Sequence, residues 1–200
     1  MPSAAILAGG DARRFDGRDK SRLPVGGRSI LERQLDALAG ITDDVMLVGA
    51  RSAGDGRAHA APIRIVADRV PASGPLGGLD AALAAARFDD VLLLACDMPF
   101  VTTEFLAYLM SQAGDADAVV PATVRGYHPL CAVYSRRCHA AVAEALAARQ
   151  LRMTELLKRI CVREIGVDDI GRFGPPTRLL ANVNTPAEFD ELEALPGHKP

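Results

Sequence analysis

"AAILAGGDARRFDGRDKSRL" occupies residues 4–23, and its reading decides the fold. Residues 4–8 form a short apolar run that Gly9 and Gly10 bring to a stop. Arg13, Arg14, Arg18 and Lys20 follow at once. Glycine lets backbone N–H groups approach a ligand closely and form concavities that favour anions. Mobile cations beside it offset the charge of phosphate. A buried strand that opens into such a loop suits a triphosphate; the plainer reading is a tight turn with a solvated basic loop. Two familiar phosphate motifs do not fit. Gly9, Gly10 and Gly17 lack GxGxxG spacing, and Lys20-Ser21 follows Asp19 where a P-loop needs glycine.

The rest of the chain continues the alternation that this strand begins. Strands are expected at 44–50, 63–68, 91–97, 118–122 and 130–135, and helices at 29–40, 78–88, 102–114 and 136–150. Ser29 and Glu32 have capping-box spacing, and Thr185, Pro186 and Glu188 mark the start of a last helix. The stretch "VLLLACD" at 91–97 is apolar nearly throughout, as a strand covered on both faces should be. This order predicts an α/β fold, a mostly parallel sheet with helices on both faces. In such sheets ligands bind at the carboxyl ends of the strands. The glycine loop, Asp68 and Asp97 are therefore expected on one rim. One domain is expected over 1–200, with a nucleotide half to about 113 and a less regular acceptor half from about 114.

Composition sets the limits. The chain has 200 residues, is 49% hydrophobic and carries a net charge of −2, so the basic loop serves something local and a nucleic-acid footprint is not expected. Four cysteines without a CxxC pair and four scattered histidines argue for reduced thiols in the cytoplasm rather than zinc. No stretch approaches the roughly 20 apolar residues of a membrane span.

Four further features could carry chemistry. Asp97 ends an apolar strand at the ligand rim, where Mg²⁺ on a phosphate needs a carboxylate, and Mg²⁺ often takes only one or two from protein. "ASGPLGGL" at 72–79 could hold a base or ribose on Gly74-Pro75, or serve close helix packing. Asp68 could accept a ribose hydroxyl. Asn182 and Asn184 lie on one side of an extended segment and suit a polar heterocycle, while His128 could face an anionic substrate.

"LAGGDARRFDGRDK", "GPLGGL", "CDMPF", "YHPLCAVYS" and "NVNTP" together resemble the molybdenum cofactor guanylyltransferases, over residues 6 to 186. The resemblance implies a Rossmann-like nucleotidyltransferase fold and an enzyme that joins GMP from GTP to molybdopterin, with Mg²⁺, releasing pyrophosphate. It implies that Leu7, Ala8, Gly9, Gly10, Lys20 and Asp68 contact GTP. Asp97 would bind through Mg²⁺, Arg14 and Lys20 would offset charge, and Asn182 and Asn184 would lie on the pterin side. Leu7-Ala8-Gly9-Gly10 resembles the guanine-selecting form of the loop. Transient contact with molybdenum-insertion and molybdoenzyme-maturation proteins would follow. Gly49 departs from the family, which often has Asn there. The rivals are a cytidylyltransferase acting on the same pterin, another small nucleotidyltransferase, and a nucleotide-sensing or cofactor-carrying module without turnover.

Overall fold

The computed structural model describes residues 1–8, 24–50 and 62–194. In chain order the elements are β1 (Ser3–Leu7), β2 (Pro24–Val25), β3 (Arg28–Ser29), α1 (Ile30–Ala39), β4 (Val45–Val48), β5 (Arg64–Val66), α2 (Gly74–Ala85), β6 (Asp90–Ala95) and α3 (Thr103–Ser111). Then come β7 (Ala118–Thr123), β8 (Gly126–Tyr127), β9 (Cys131–Ser135), α4 (His139–Ala147), α5 (Met153–Leu157), β10 (Val162–Ile165), α6 (Val167–Gly171), α7 (Pro176–Leu179) and α8 (Pro186–Glu193).

The main sheet runs β10-β7-β9-β6-β1-β4-β5, with β8 paired to β7; β2 and β3 form a separate ribbon. β1 pairs in parallel with β4 and β6, β4 with β5, and β7 with β10. β9 alone on this path runs backwards, antiparallel to β6 and β7. The reason is chain length: only residues 124–130 separate β7 from β9, and a parallel crossover needs a dozen or more.

Strand residues alternate between two cores. Ile6, Leu47, Leu92, Leu94 and Val133 face Leu35, Leu38, Phe105 and Ile170, from α1, α3 and α6. Ala5, Met46, Leu93, Val120 and Tyr134 face Leu76, Leu79, Val142 and Leu156, from α2, α4 and α5. This is the two-residue period of a strand covered on both faces. Each fully buried aliphatic side chain contributes about 1.5–3 kcal/mol. The fold class is thus the expected one.

The capping signals also hold. Ser29 Oγ accepts from Glu32 N at 3.2 Å, while Glu32 Oε2 accepts from Ser29 N at 2.7 Å. Thr102 caps α3 and Thr185 caps α8. Two boundaries need correction. α2 begins at Gly74, not Gly78, because Pro75 occupies its first turn. The expected helix at 136–150 opens with a 3₁₀ turn, Arg136–Cys138, and is α-helical only over His139–Ala147. Among the described residues no helix is long and apolar enough to cross a membrane.

Candidate active site

The topology puts the candidate residues in a row. β1 is the switch point: the chain moves from it to β4 and β5 on one side, then to β6 on the other. Along the carboxyl rim the order is Arg125 after β7, His128 before the reversed β9, Asp97 after β6, Leu7-Ala8 at β1, Gly49 after β4 and Asp68 after β5. Asp97 and Asp68 lie three strand spacings apart, roughly 14 Å. Asp97 stands where the two halves of this row meet.

Asp97 sits in the turn that follows β6 and is held through its backbone. Its carbonyl accepts from Val183 N at 2.7 Å. From α1, the Gln34 side chain donates Nε2 to Ala95 O at 2.7 Å and to Met98 O at 3.2 Å, on either side of Asp97. The Asp97 Oδ1 atom is buried, and Oδ2 takes a long 3.4 Å contact from Asn182 Nδ2. Nothing in their spacing links Asn182 to Asp97; the fold brings them together. Gln34 was missed as well, since it reads as one polar interruption in an otherwise aliphatic helix face.

The segment carrying Asn182 and Asn184 is extended, with Val183 fully buried between an exposed Asn182 and a half-buried Asn184. Asn184 N donates to Glu188 Oε2 at 2.7 Å. Val183 and Phe189 pack with Val25 and Ile30 of the ribbon and α1. Phe189 stacks on Phe100 with centroids 4.9 Å apart, and the Arg33 guanidinium lies 4.8 Å over the Phe189 ring.

Beside Asp97, on the β7–β9 side, a cavity of about 590 Å³ opens between the β7–β8 turn and the C-terminal segment. Arg125, His128, Thr177 and Asn182 supply its polar wall, and Val124, Leu180 and Leu192 its apolar one. His128 Nε2 lies 3.0 Å from Thr123 Oγ1. Burial first, then the nearby Arg125 charge, holds its pKa below the usual histidine value. His128 lines this cavity with its ring, beside Arg125. Arg125 carries the positive charge in this wall. Its position two residues beyond the end of β7, on the ligand rim, is the signal that could have found it.

On the β1–β5 side, Leu7 ends β1, paired with Val48 and Ala95, and Ala8 N donates to Val48 O at 2.9 Å. The Leu7 side chain packs on α2: a Cβ at Gly78 would lie 2.7 Å from Leu7 Cδ2. Gly77 and Gly78 thus serve close packing, the plainer of the two readings of that motif. Gly74 and Pro75 are exposed at the start of α2, where Ser73 provides no side-chain cap. Uncapped N–H groups at a helix start favour an anion or a hydroxyl oxygen. Asp68 is exposed beyond β5. Gly49 has φ of 75°, a left-handed conformation open to glycine and, with few others, asparagine. Gly49 and Asn thus suit the same backbone, and this chain lacks only the amide. Gly9, Gly10, Arg14 and Lys20 lie outside the described residues.

The donors at Asp97 fit magnesium. Mg²⁺ takes oxygen ligands and uses one or two carboxylates together with substrate phosphates. Among the described residues no three His, Cys, Asp or Glu side chains gather into a protein-only metal cage. One carboxylate at the carboxyl rim of the sheet is a set that would suit a metal arriving with a nucleotide.

The comparisons with known proteins agree with this geometry. The family described as MobA-like NTP transferase domain matches residues 4–163. A protein of Pelotomaculum thermopropionicum named "Probable molybdenum cofactor guanylyltransferase" is 32% identical, over 96% of this chain and 92% of its own. A molybdenum cofactor guanylyltransferase of Desulfosudis oleivorans is 31% identical, over 94% and 93%. The solved structure of molybdopterin-guanine dinucleotide biosynthesis protein A from Archaeoglobus fulgidus superposes with a TM-score of 0.75 at 24% identity, covering 96% of both chains. The alternation of strands and helices, the row of rim residues and these likenesses have one conclusion: the chain belongs to the MobA-like nucleotidyltransferase family.

Proposed function

We propose that the protein transfers GMP from GTP to the terminal phosphate of molybdenum-loaded molybdopterin, giving the guanine dinucleotide cofactor and pyrophosphate. The observation that carries this reading is the place of Asp97. It lies between the half of the rim that holds Gly49 and the uncapped start of α2 and a cavity with one cation, one histidine and one amide.

GTP lies along β1, β4 and β5, with its base and ribose towards Asp68 and the start of α2 and its phosphates over β1. Molybdopterin fills the 590 Å³ cavity. Asn182 meets the heterocycle, His128 offers a hydrogen-bonding ring nitrogen, and Arg125 faces anionic charge. A phosphate oxygen of the acceptor attacks the α-phosphorus of GTP. The bond from the α-phosphorus to the bridging oxygen breaks, and pyrophosphate leaves with that electron pair. The nucleophile is already anionic, so no residue need remove a proton. The work of the chain is to hold two mutually repelling anions in line. Asp97 would hold Mg²⁺, whose chemistry there is to neutralise charge on the phosphates. Lys20 and Arg14 belong to the same task.

We place the reaction in the cytoplasm, with brief contacts to molybdenum-insertion and molybdoenzyme-maturation proteins. The test is a nucleotide panel. GTP, CTP and ATP are each supplied with Mg²⁺ and molybdopterin, and pyrophosphate release is followed. Release is expected with GTP and not with the other two. Faster release with CTP would assign the protein to cytidyl transfer, and tight GTP binding without turnover would make it a binding module.

A further inference from the structure

We propose that Gln34 is a positioning residue for the metal-binding turn, its buried amide setting the backbone from which Asp97 meets a divalent cation. The inference rests on the reading of Asp97 as the cation ligand. Gln34 is fully buried on α1, on the inward face that otherwise presents Ile30, Leu31, Leu35 and Leu38. Packing alone would be met by another aliphatic residue there. The glutamine Oε1 is buried and meets no donor among the described residues. Such an atom is costly to keep, so the value of the side chain lies in its Nε2.

That one nitrogen bridges two carbonyls, Ala95 at 2.7 Å and Met98 at 3.2 Å. Ala95 is the last residue of β6 and Met98 directly follows Asp97. The reverse amide orientation would set Oε1 against both carbonyl oxygens, so the network decides which end points inward. From the other side Val183 N holds the carbonyl of Asp97 itself. Three of the four carbonyls in Ala95–Met98 are therefore gripped from outside the turn. The direction of a carboxylate follows the backbone dihedrals of its residue, and here these are fixed from α1 and from the C-terminal segment together. α1 is also the helix that follows the phosphate loop in the chain. Gln34 thus ties the turn that carries Asp97 to α1.

The experiment uses Mn²⁺ as the probe for Mg²⁺. Its binding is followed by electron paramagnetic resonance with the full-length protein and a GTP analogue that cannot be cleaved between its α- and β-phosphates. Gln34→Met keeps length and volume and removes the donor. Gln34→Glu keeps shape and carries the same measurement where the first variant folds poorly. Groups that orient a metal ligand typically govern affinity by 10- to 100-fold, so the Mn²⁺ dissociation constant should rise about 10-fold or more in both. A folded Gln34 variant with a lowered melting temperature and unchanged Mn²⁺ affinity would overturn the proposal and leave a packing role. Asp97→Asn, measured in parallel, separates the two readings. Loss of the protein-dependent Mn²⁺ site in Asp97→Asn with no change in Gln34→Met rejects the positioning role alone. Retention of that site in Asp97→Asn rejects the metal assignment and this proposal with it.

Discussion

Two aspartates mark opposite ends of the same sheet, and the chain treats them in opposite ways. Asp44 precedes β4 at the amino rim, and its side chain is shut away from water. Ser3 Oγ donates to its Oδ2 at 2.6 Å, and Arg64 donates to its Oδ1 at 2.6 and 2.9 Å. Arg87 N donates to Oδ2 at 3.1 Å. These partners come from β1, β5 and the turn before β6, so one carboxylate ties together four neighbouring strands. Asp97, at the carboxyl rim, is gripped by its backbone while its carboxylate lies against a long contact from an exposed amide. A carboxylate saturated by its own chain is a fastener. Asp97 is fixed by its main chain, and under the proposed function its carboxylate is a tool. The difference teaches that function in this fold shows in what holds a charged residue as much as in which residue it is.

The comparison can be broken most forcefully at Asp97. Asp97→Asn should lower kcat/KM for GTP by about 10³-fold, roughly 4 kcal/mol of transition-state stabilisation. Its unfolding free energy should stay within about 0.5 kcal/mol of wild type. Steady-state kinetics and a urea melt decide it, and a large stability loss would make Asp97 a second fastener.

Asp44→Ala should do the reverse. Removing a buried partner of Arg64 should cost about 3 kcal/mol of stability, with kcat per folded molecule unchanged. pH sharpens the point. Burial pushes the Asp44 carboxyl up, but the bonds from Ser3, Arg87 N and Arg64 outweigh it and hold the pKa below the usual carboxylate value. Its stabilisation is therefore complete above the unfolded pKa of about 3.9 and is lost as pH falls through the folded one. The stability gap between wild type and Asp44→Asn should narrow across that acid window. A gap independent of pH would show that the carboxylate charge is irrelevant there.

A smaller effect probes the slack of the upper rim. A Cβ at Gly77 would lie 2.8 Å from Ser73 Cβ and 3.3 Å from the Val70 carbonyl. Gly77→Ala should cost about 2 kcal/mol by overpacking the loop between β5 and α2, and should weaken GTP binding while leaving molybdopterin binding alone. Calorimetric titration of both substrates tests it. Asn182→Ala should give the smallest change, about 1 kcal/mol or a fivefold rise in KM for molybdopterin, with GTP affinity kept. Equal losses for both substrates would mean that the contact to Asp97 matters more than the cavity wall.

Much of this was legible in the residues because it depends on local periodicity. The apolar run before Asp97, the alternating strands and the capping pairs at Ser29-Glu32 and Thr185-Glu188 each report a local rule. The reversed β9 was legible only through the shortness of 124–130. α5, β10, α6 and α7 are too short to show a period, so the half from about 114 read as less regular, and the ribbon β2–β3 left no signal for the same reason. The site divided in the same way. Asp97 and Asp68 follow strands and declare the rim. Gln34 becomes meaningful only when distant segments meet, and no spacing in the chain encodes a contact across 61 residues between Gln34 and Ala95.

The grip of Val183 on Asp97 has a consequence for how the protein is made. The last strand of the sheet ends at Ile165, yet the carbonyl of Asp97 waits for a donor from residue 183. A chain growing on the ribosome can therefore assemble its whole sheet while Val25 and Ile30 still await Val183 and Phe189. A chain lacking residues 181–194 should leave Val25 and Ile30 uncovered. Until residue 183 is in place the Asp97 carbonyl lacks that donor, and the turn is held by Gln34 from α1.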